Sequence, residues 1–141
     1  MGKGFWILVL IIVIVLVWWV GRDNEAAGSV AVPLTALGAN GVSGTATLSY
    51  EGMESPVTVK IDLPDAVVGG DHPAHVHQGS CPTPGPVVYT LDNVKDGASE
   101  TTLEQATIND FRNELSINVH LSADEIGTYL SCGDIAVPEA N

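Results

Sequence analysis

The chain has 141 residues and carries 17 acidic against 5 basic side chains, a formal net charge of −12. That length holds one domain, and a charge of this sign excludes nucleic acid and anionic lipid headgroups as partners gripped by electrostatics.

The apolar residues are concentrated at the start. Phe5 to Val20 (FWILVLIIVIVLVWWV) contains no charge, no Pro and no Gly. At about 1.5 Å per residue this run and its flanking glycines reach roughly 27 Å, close to the ~30 Å hydrocarbon core of a bilayer. Residues 5–21 are therefore expected to form a transmembrane anchor helix in contact with lipid. Phe5 and Trp6 would mark one membrane interface and Trp18 and Trp19 the other. A cleaved signal peptide is the rival reading, but the run ends in a Trp pair and no A-x-A site follows it. Lys3 precedes the run, whereas Arg22 is followed by Asp23 and Glu25. The positive-inside rule then leaves residues 1–4 in the cytoplasm and the rest on the periplasmic side of a cell (inner) membrane. The helix has no polar group at membrane depth, so it conducts nothing and relays no proton. Contact with other membrane-protein subunits would rest on its shape and its Trp belt.

Residues 22–28 read as a short polar tether, and residues 29–141 as the extracytoplasmic domain. From Asp23 onward, Lys60, Lys95 and Arg112 face all seventeen acids, which leaves this part at −14. Its pattern has period two. Ser29–Leu37, Gly44–Tyr50 and Pro56–Leu63 alternate apolar and polar positions and read as strands, with Pro33 placing the first at an edge or a bulge. Further strands are expected at Ala74–Gln78, Pro86–Leu91, Leu115–Leu121 and Leu130–Val137, with a helical turn within Leu103–Glu114. Seven or eight short strands predict an all-β sandwich or flattened barrel.

Cys81 and Cys132 are the only cysteines. On the oxidising side of a membrane they are expected to pair, and a loop of about fifty residues closed in this way gains about 4 kcal/mol. Two buried thiols, or a metal site using both, is the alternative. All four histidines lie in or beside two proposed strands: His72, His75 and His77 in GDHPAHVHQGSC (70–81), and His120 in INVHLSADEIG (117–127). Alternation along a strand sends His75 and His77 to one face, where they can offer two imidazoles to one ion. A third from the neighbouring strand would make a compact site suited to copper or zinc. His72 lies across Pro73 and should not share that face.

Set side by side, these segments resemble the copper/zinc superoxide dismutases. GDHPAHVHQGSC is similar to that family's copper-binding G-x-H-G-F-H-V-H and the loop Cys after it. INVHLSADEIG is similar to its V-V-H-x-x-A-D-D-L-G, and YLSCGDIAV to its L-A-C-G-V-I strand. GVSGTATLSYEG and SPVTVKIDLP look like its second and third strands, so the resemblance spans Gly28 to Val137. It implies a Greek-key β-barrel, a Cys81–Cys132 bridge, and His75, His77 and His120 as copper ligands. It also implies a supporting histidine at His72, hydrogen-bonded within the barrel, and a carboxylate at Asp124 that braces the metal site. A weaker similarity to chordin-type (CHRD) domains rests on GTAT, the H-x-H pair and the late VNVH-like segment.

The family pattern fails in two places. The loop after the first Cys is cut to PTPG (82–85) and carries no histidine, so the resemblance predicts no structural zinc site and at most one copper ion, with zinc as an alternative occupant. Where the family has an arginine that guides superoxide, three residues before the second Cys, this chain has Tyr129. The expectation is a non-catalytic accessory subunit of a respiratory or photosynthetic electron-transfer complex. A copper-binding redox module, or a residual copper-only dismutase using His75, His77 and His120, is the alternative.

Overall fold

The structure is a computed structural model that describes residues 2–5, 7–9, 11–12 and 27–139. Residues 3–5, 7–9 and 11–12 are helical and exposed, Phe5 among them. Among the described residues no helix is long and apolar enough to cross a membrane. Most of the anchor expected at 5–21, with Trp6, Trp18 and Trp19, lies outside the described residues, as does most of the tether.

Eight antiparallel strands follow: β1 (Gly28–Ala36), β2 (Gly44–Tyr50), β3 (Val57–Asp62), β4 (Asp71–Gln78), β5 (Val87–Lys95), β6 (Ala98–Leu103), β7 (Leu115–His120) and β8 (Tyr129–Asp134). They close into a barrel in the order β1-β2-β3-β6-β5-β4-β7-β8. The period-two pattern explains the first three directly. Val30, Val32 and Leu34 of β1, Leu48 of β2, and Val57, Val59 and Ile61 of β3 all point into the core, and the residues between them point out. Pro33 lies in no bulge, but on a stretch of β1 that has a partner on one side only, as an edge position does. It pairs with Thr45, while β8 pairs with β1 only at Thr35 and Ala36, so the missing N–H breaks no ladder bond on the second side. The expected helical turn is a 3-10 turn, Ile108–Arg112, which plugs the barrel with buried Ile108 and Phe111.

Three segments depart from the expected bounds. β4 starts at Asp71, three residues before the expected Ala74. β5 runs on to Lys95 and turns at once into β6, a strand absent from the reading of the sequence. Lys95 pairs with Ala98, and the two residues between them, Asp96 and Gly97, have φ of +50° and +83°. This is the conformation that an Asp-Gly hairpin turn demands, so the dipeptide carried the signal. Polar residues on the outer face of β6 hid the strand. At the other end, β8 stops at Asp134, where the chain leaves β7 after one last bond from Ile135 N–H to the Leu115 carbonyl, 2.9 Å. A Cβ at Gly97 would lie 2.5 Å from the Leu63 carbonyl, on top of its positive φ. Gly97→Val is therefore expected to lower stability by about 2 kcal/mol or more, read as a shift in the urea midpoint.

Candidate metal centre

β4 and β7 lie side by side, with Ala74 opposite Val119, His75 opposite Asn118, Val76 opposite Ile117 and His77 opposite Ser116. Ala74, Val76, Ile117 and Val119 fill the core. Alternation then sends His75, His77, Asn118 and His120 to the outer wall. An outer wall is ordinarily solvated, yet all six residues of β7 are buried. Two loops cover it. The first, 79–86, is tied down by the Cys81–Cys132 disulfide, with Cα atoms 5.9 Å apart. Gly79 N–H donates to the Glu114 carbonyl (2.8 Å), Ser80 Oγ to Glu114 Oε1 (2.7 Å) and Cys81 N–H to Asp134 Oδ1 (2.8 Å). The second, 121–128, is closed by Leu121 N–H on the Thr128 carbonyl (2.8 Å) and Thr128 N–H on the Glu125 carbonyl (2.9 Å). Both cysteines are consumed by the bridge, which removes the thiol-ligand alternative.

The three rings meet in the space that remains. Their centroids are 4.9 Å apart for His75 and His120, and 5.7 Å for His77 with either of the others. One nitrogen from each lies within 4.8 Å of the other two. Hydrogen bonds identify which nitrogens these are. A carbonyl only accepts, so His77 Nδ1 carries the proton it donates to Gly85 O at 2.8 Å. The buried Nε2 of His77 then keeps its lone pair and has no partner. In the same way His120 Nδ1–H donates to the Ile126 carbonyl, which leaves Nε2 with a lone pair. That lone pair accepts from His75 Nδ1–H at 2.9 Å. A metal ion accepted here would take the place of this one shared proton, which can move to His75 Nε2 without changing the ring's charge.

Two backbone carbonyls thus fix the tautomers of two of the candidate ligands, the arrangement by which proteins orient metal-binding imidazoles. Three neutral imidazoles suit copper and zinc alike. Burial holds the pKa of His75 below its ordinary value, with a further push from His77. Burial also lowers that of His120, opposed by the Ile126 carbonyl and helped by His75 and His77. Both shifts keep the rings neutral and able to bind a cation. They also set a pH dependence. The unfolded chain takes up protons near pH 6.5, while the folded state resists until lower pH, so protonation favours unfolding. The metal-free chain should therefore hold full stability above about pH 6.5 and lose it progressively below. Thermal melts between pH 8 and 5 read this directly, and replacing His120 by Gln should flatten the slope.

His72 does not join the cluster. A register shift between His72 and Ala74 separates it from the other two, and its Nδ1–H donates to the Leu121 carbonyl at 2.8 Å. It ties the start of β4 to the residue after His120, with its ring packed against Gly70. The structure does not bring Asp124 to the site. Its side chain is exposed in the 121–128 loop and bonds none of the four histidines; beside His120 the Ile126 carbonyl does the bracing. Tyr129 pairs with His120 across the strands, and their rings are 5.0 Å apart. Among site residues the sequence reading passed over Asn118, which is fully buried between His75 and Cys132 with Oδ1 unpartnered. Alternation placed it on the outer face with His120, and that was the available signal. The Gly85 and Ile126 carbonyls had none, because any residue supplies a carbonyl. Compared with known proteins, the chain matches no family model and no curated protein.

Proposed function

We propose that the chain is a membrane-anchored protein of the copper/zinc superoxide dismutase type. In this reading it holds one copper ion through His75, His77 and His120 and serves as a non-catalytic accessory subunit of a larger electron-transfer complex. One observation carries the metal assignment: three converging imidazoles, two of them set in tautomer by backbone carbonyls, with the buried Nε2 of His77 left unpartnered. Copper in such a site would supply one-electron chemistry. His75 Nδ1, His77 Nε2 and His120 Nε2 would hold it, and the two covering loops would limit access of water. The strand order, with β3 beside β6 and β4 beside β7, supports the Greek-key reading.

Charge weighs against dismutation. No Lys or Arg occurs in residues 79–94 or 113–141, and Tyr129 stands where the family keeps its guiding arginine. An anionic substrate meets a like-charged surface, which removes the steering that lifts association toward ~10⁹ M⁻¹s⁻¹. The copper-loaded, full-length chain should accelerate superoxide decay at least a hundredfold less than that limit. A rate near the limit that falls with added salt would instead establish the copper-only dismutase. Copper content of the purified full-length chain, expected at one per chain, tests the binding itself. The anchor is tested by carbonate extraction of membranes, from which a spanning helix is not released.

A further inference from the structure

Five large aliphatic side chains are exposed on the described part of the barrel, and three of them flank the histidine cluster. The pairing of β4 with β5 slips by one residue between Val76 and His77: Val76 pairs with Tyr89, but His77 pairs with Val87. Val88 is thus the extra residue of a bulge, and a bulge turns two consecutive side chains toward the same side. Val87 and Val88 both emerge on the outer wall beside His77, 49% and 41% exposed. On the other side of the cluster, Ile126 is 46% exposed and its own carbonyl holds His120. The Ile126 lip is therefore fixed by the contact that holds His120, and Val87 lies opposite His77 in the ladder, two residues after the Gly85 carbonyl that holds its ring.

Around these lips the charge has one sign. Glu114 and Asp134 anchor the 79–86 loop, and Asp124 and Glu125 directly precede Ile126. The three cations of the domain stand elsewhere. Lys60 is on β3, Lys95 is paired with Asp71 at 3.8 Å, and Arg112 is bonded to the Pro138 carbonyl at 2.9 Å beside Glu139. A small apolar centre in an acidic ring suits a short-lived encounter, in which charge supplies the association rate and the apolar contact sets the register. We propose that this face docks a small cationic protein that presents an apolar centre within a ring of lysines. This rests on the accessory-subunit reading, whose copper site is tested separately by metal content.

The test uses the isotope-labelled full-length chain in nanodiscs, free of metal, with cytochrome c as the cationic probe. Succinylated cytochrome c, which has the same fold without its lysine charges, is the control. At low salt the native probe should bind weakly and shift the backbone amides of Val87, Val88 and residues 124–127. Affinity should drop about tenfold for the succinylated control and also in 0.3 M salt. Val87→Ser with Val88→Ser leaves the charge and the carbonyls that hold His77 and His120 in place, and should weaken binding about tenfold while the rest of the amide spectrum is unchanged. The proposal is overturned by unaltered affinity in that variant, by shifts that map to the Val67–Val68 loop or to the β2–β3 wall, or by no complex at low salt. None of these results bears on whether copper binds, so failure of docking and failure of the metal site are read apart.

Discussion

Replacing His120 by Gln should abolish stoichiometric copper in the full-length chain, with affinity weakened by more than about a hundredfold. His120 is the hub of the cluster. Its Nδ1–H is spent on the Ile126 carbonyl and its Nε2 faces His75 Nδ1, so its loss removes one of the three converging nitrogens. Loss of a residue that merely orients a ligand typically costs 10–100-fold in metal affinity, and loss of the ligand itself exceeds that range. Gln keeps most of the side-chain volume on a strand whose every residue is buried, so the barrel should survive the change. Metal analysis and calorimetric titration of purified chains give the measurement. Copper retained at one per chain, with undiminished affinity, would remove His120 from the ligand set and with it the proposed site. The companion change His72→Gln, at a residue outside the cluster, should leave one copper per chain.

The second large effect is expected at the disulfide. Cys81 and Cys132 are 51 residues apart in sequence, and a cross-link over that span is worth about 4 kcal/mol in chain entropy. Replacing both by Ser should lower the melting temperature by roughly 15–25 °C for a barrel of this size. A second consequence is local. The bridge pins the 79–86 loop, and that loop carries the Gly85 carbonyl that holds His77 Nδ1–H. Freed, the loop no longer selects the tautomer that leaves Nε2 unprotonated. Copper affinity, measured well below the melting temperature of the variant, should then fall by about 10–100-fold. If stability drops but affinity is unchanged, Gly85 does not set the ligand and the loop is only a covering.

Much of the barrel was legible in advance because one face of each of its first strands is buried. Val57, Val59 and Ile61 declare β3 by strict alternation, and the Gly44–Tyr50 strand was read with its actual bounds. β6 was not legible in the same way. ASETTL ends in its one large apolar residue, Leu103, so hydrophobic period fails where a strand earns its place through its neighbours. Only Asp96–Gly97, whose turn geometry excludes most other pairs, marked it. Pro33 taught the reverse lesson. The residue forbids a ladder bond, but whether the strand lies at an edge depends on how far its neighbour extends.

For the site, sequence alone determined which imidazoles share a face, since alternation on a strand is a local property of the backbone. It therefore set His75 beside His77 and separated His72. What only the tertiary structure decided is that β7 lies against β4, which brings His120 to within one ion's reach. The fold also decided that backbone carbonyls of two loops select which nitrogens of His77 and His120 keep their lone pairs, and that Asp124 bonds none of the histidines. A carbonyl carries no mark of residue type, and the partners of a loop follow from how the chain is folded over the wall of the barrel. Side-chain chemistry can be read along the chain; the choice of tautomer comes from contacts between residues far apart in it.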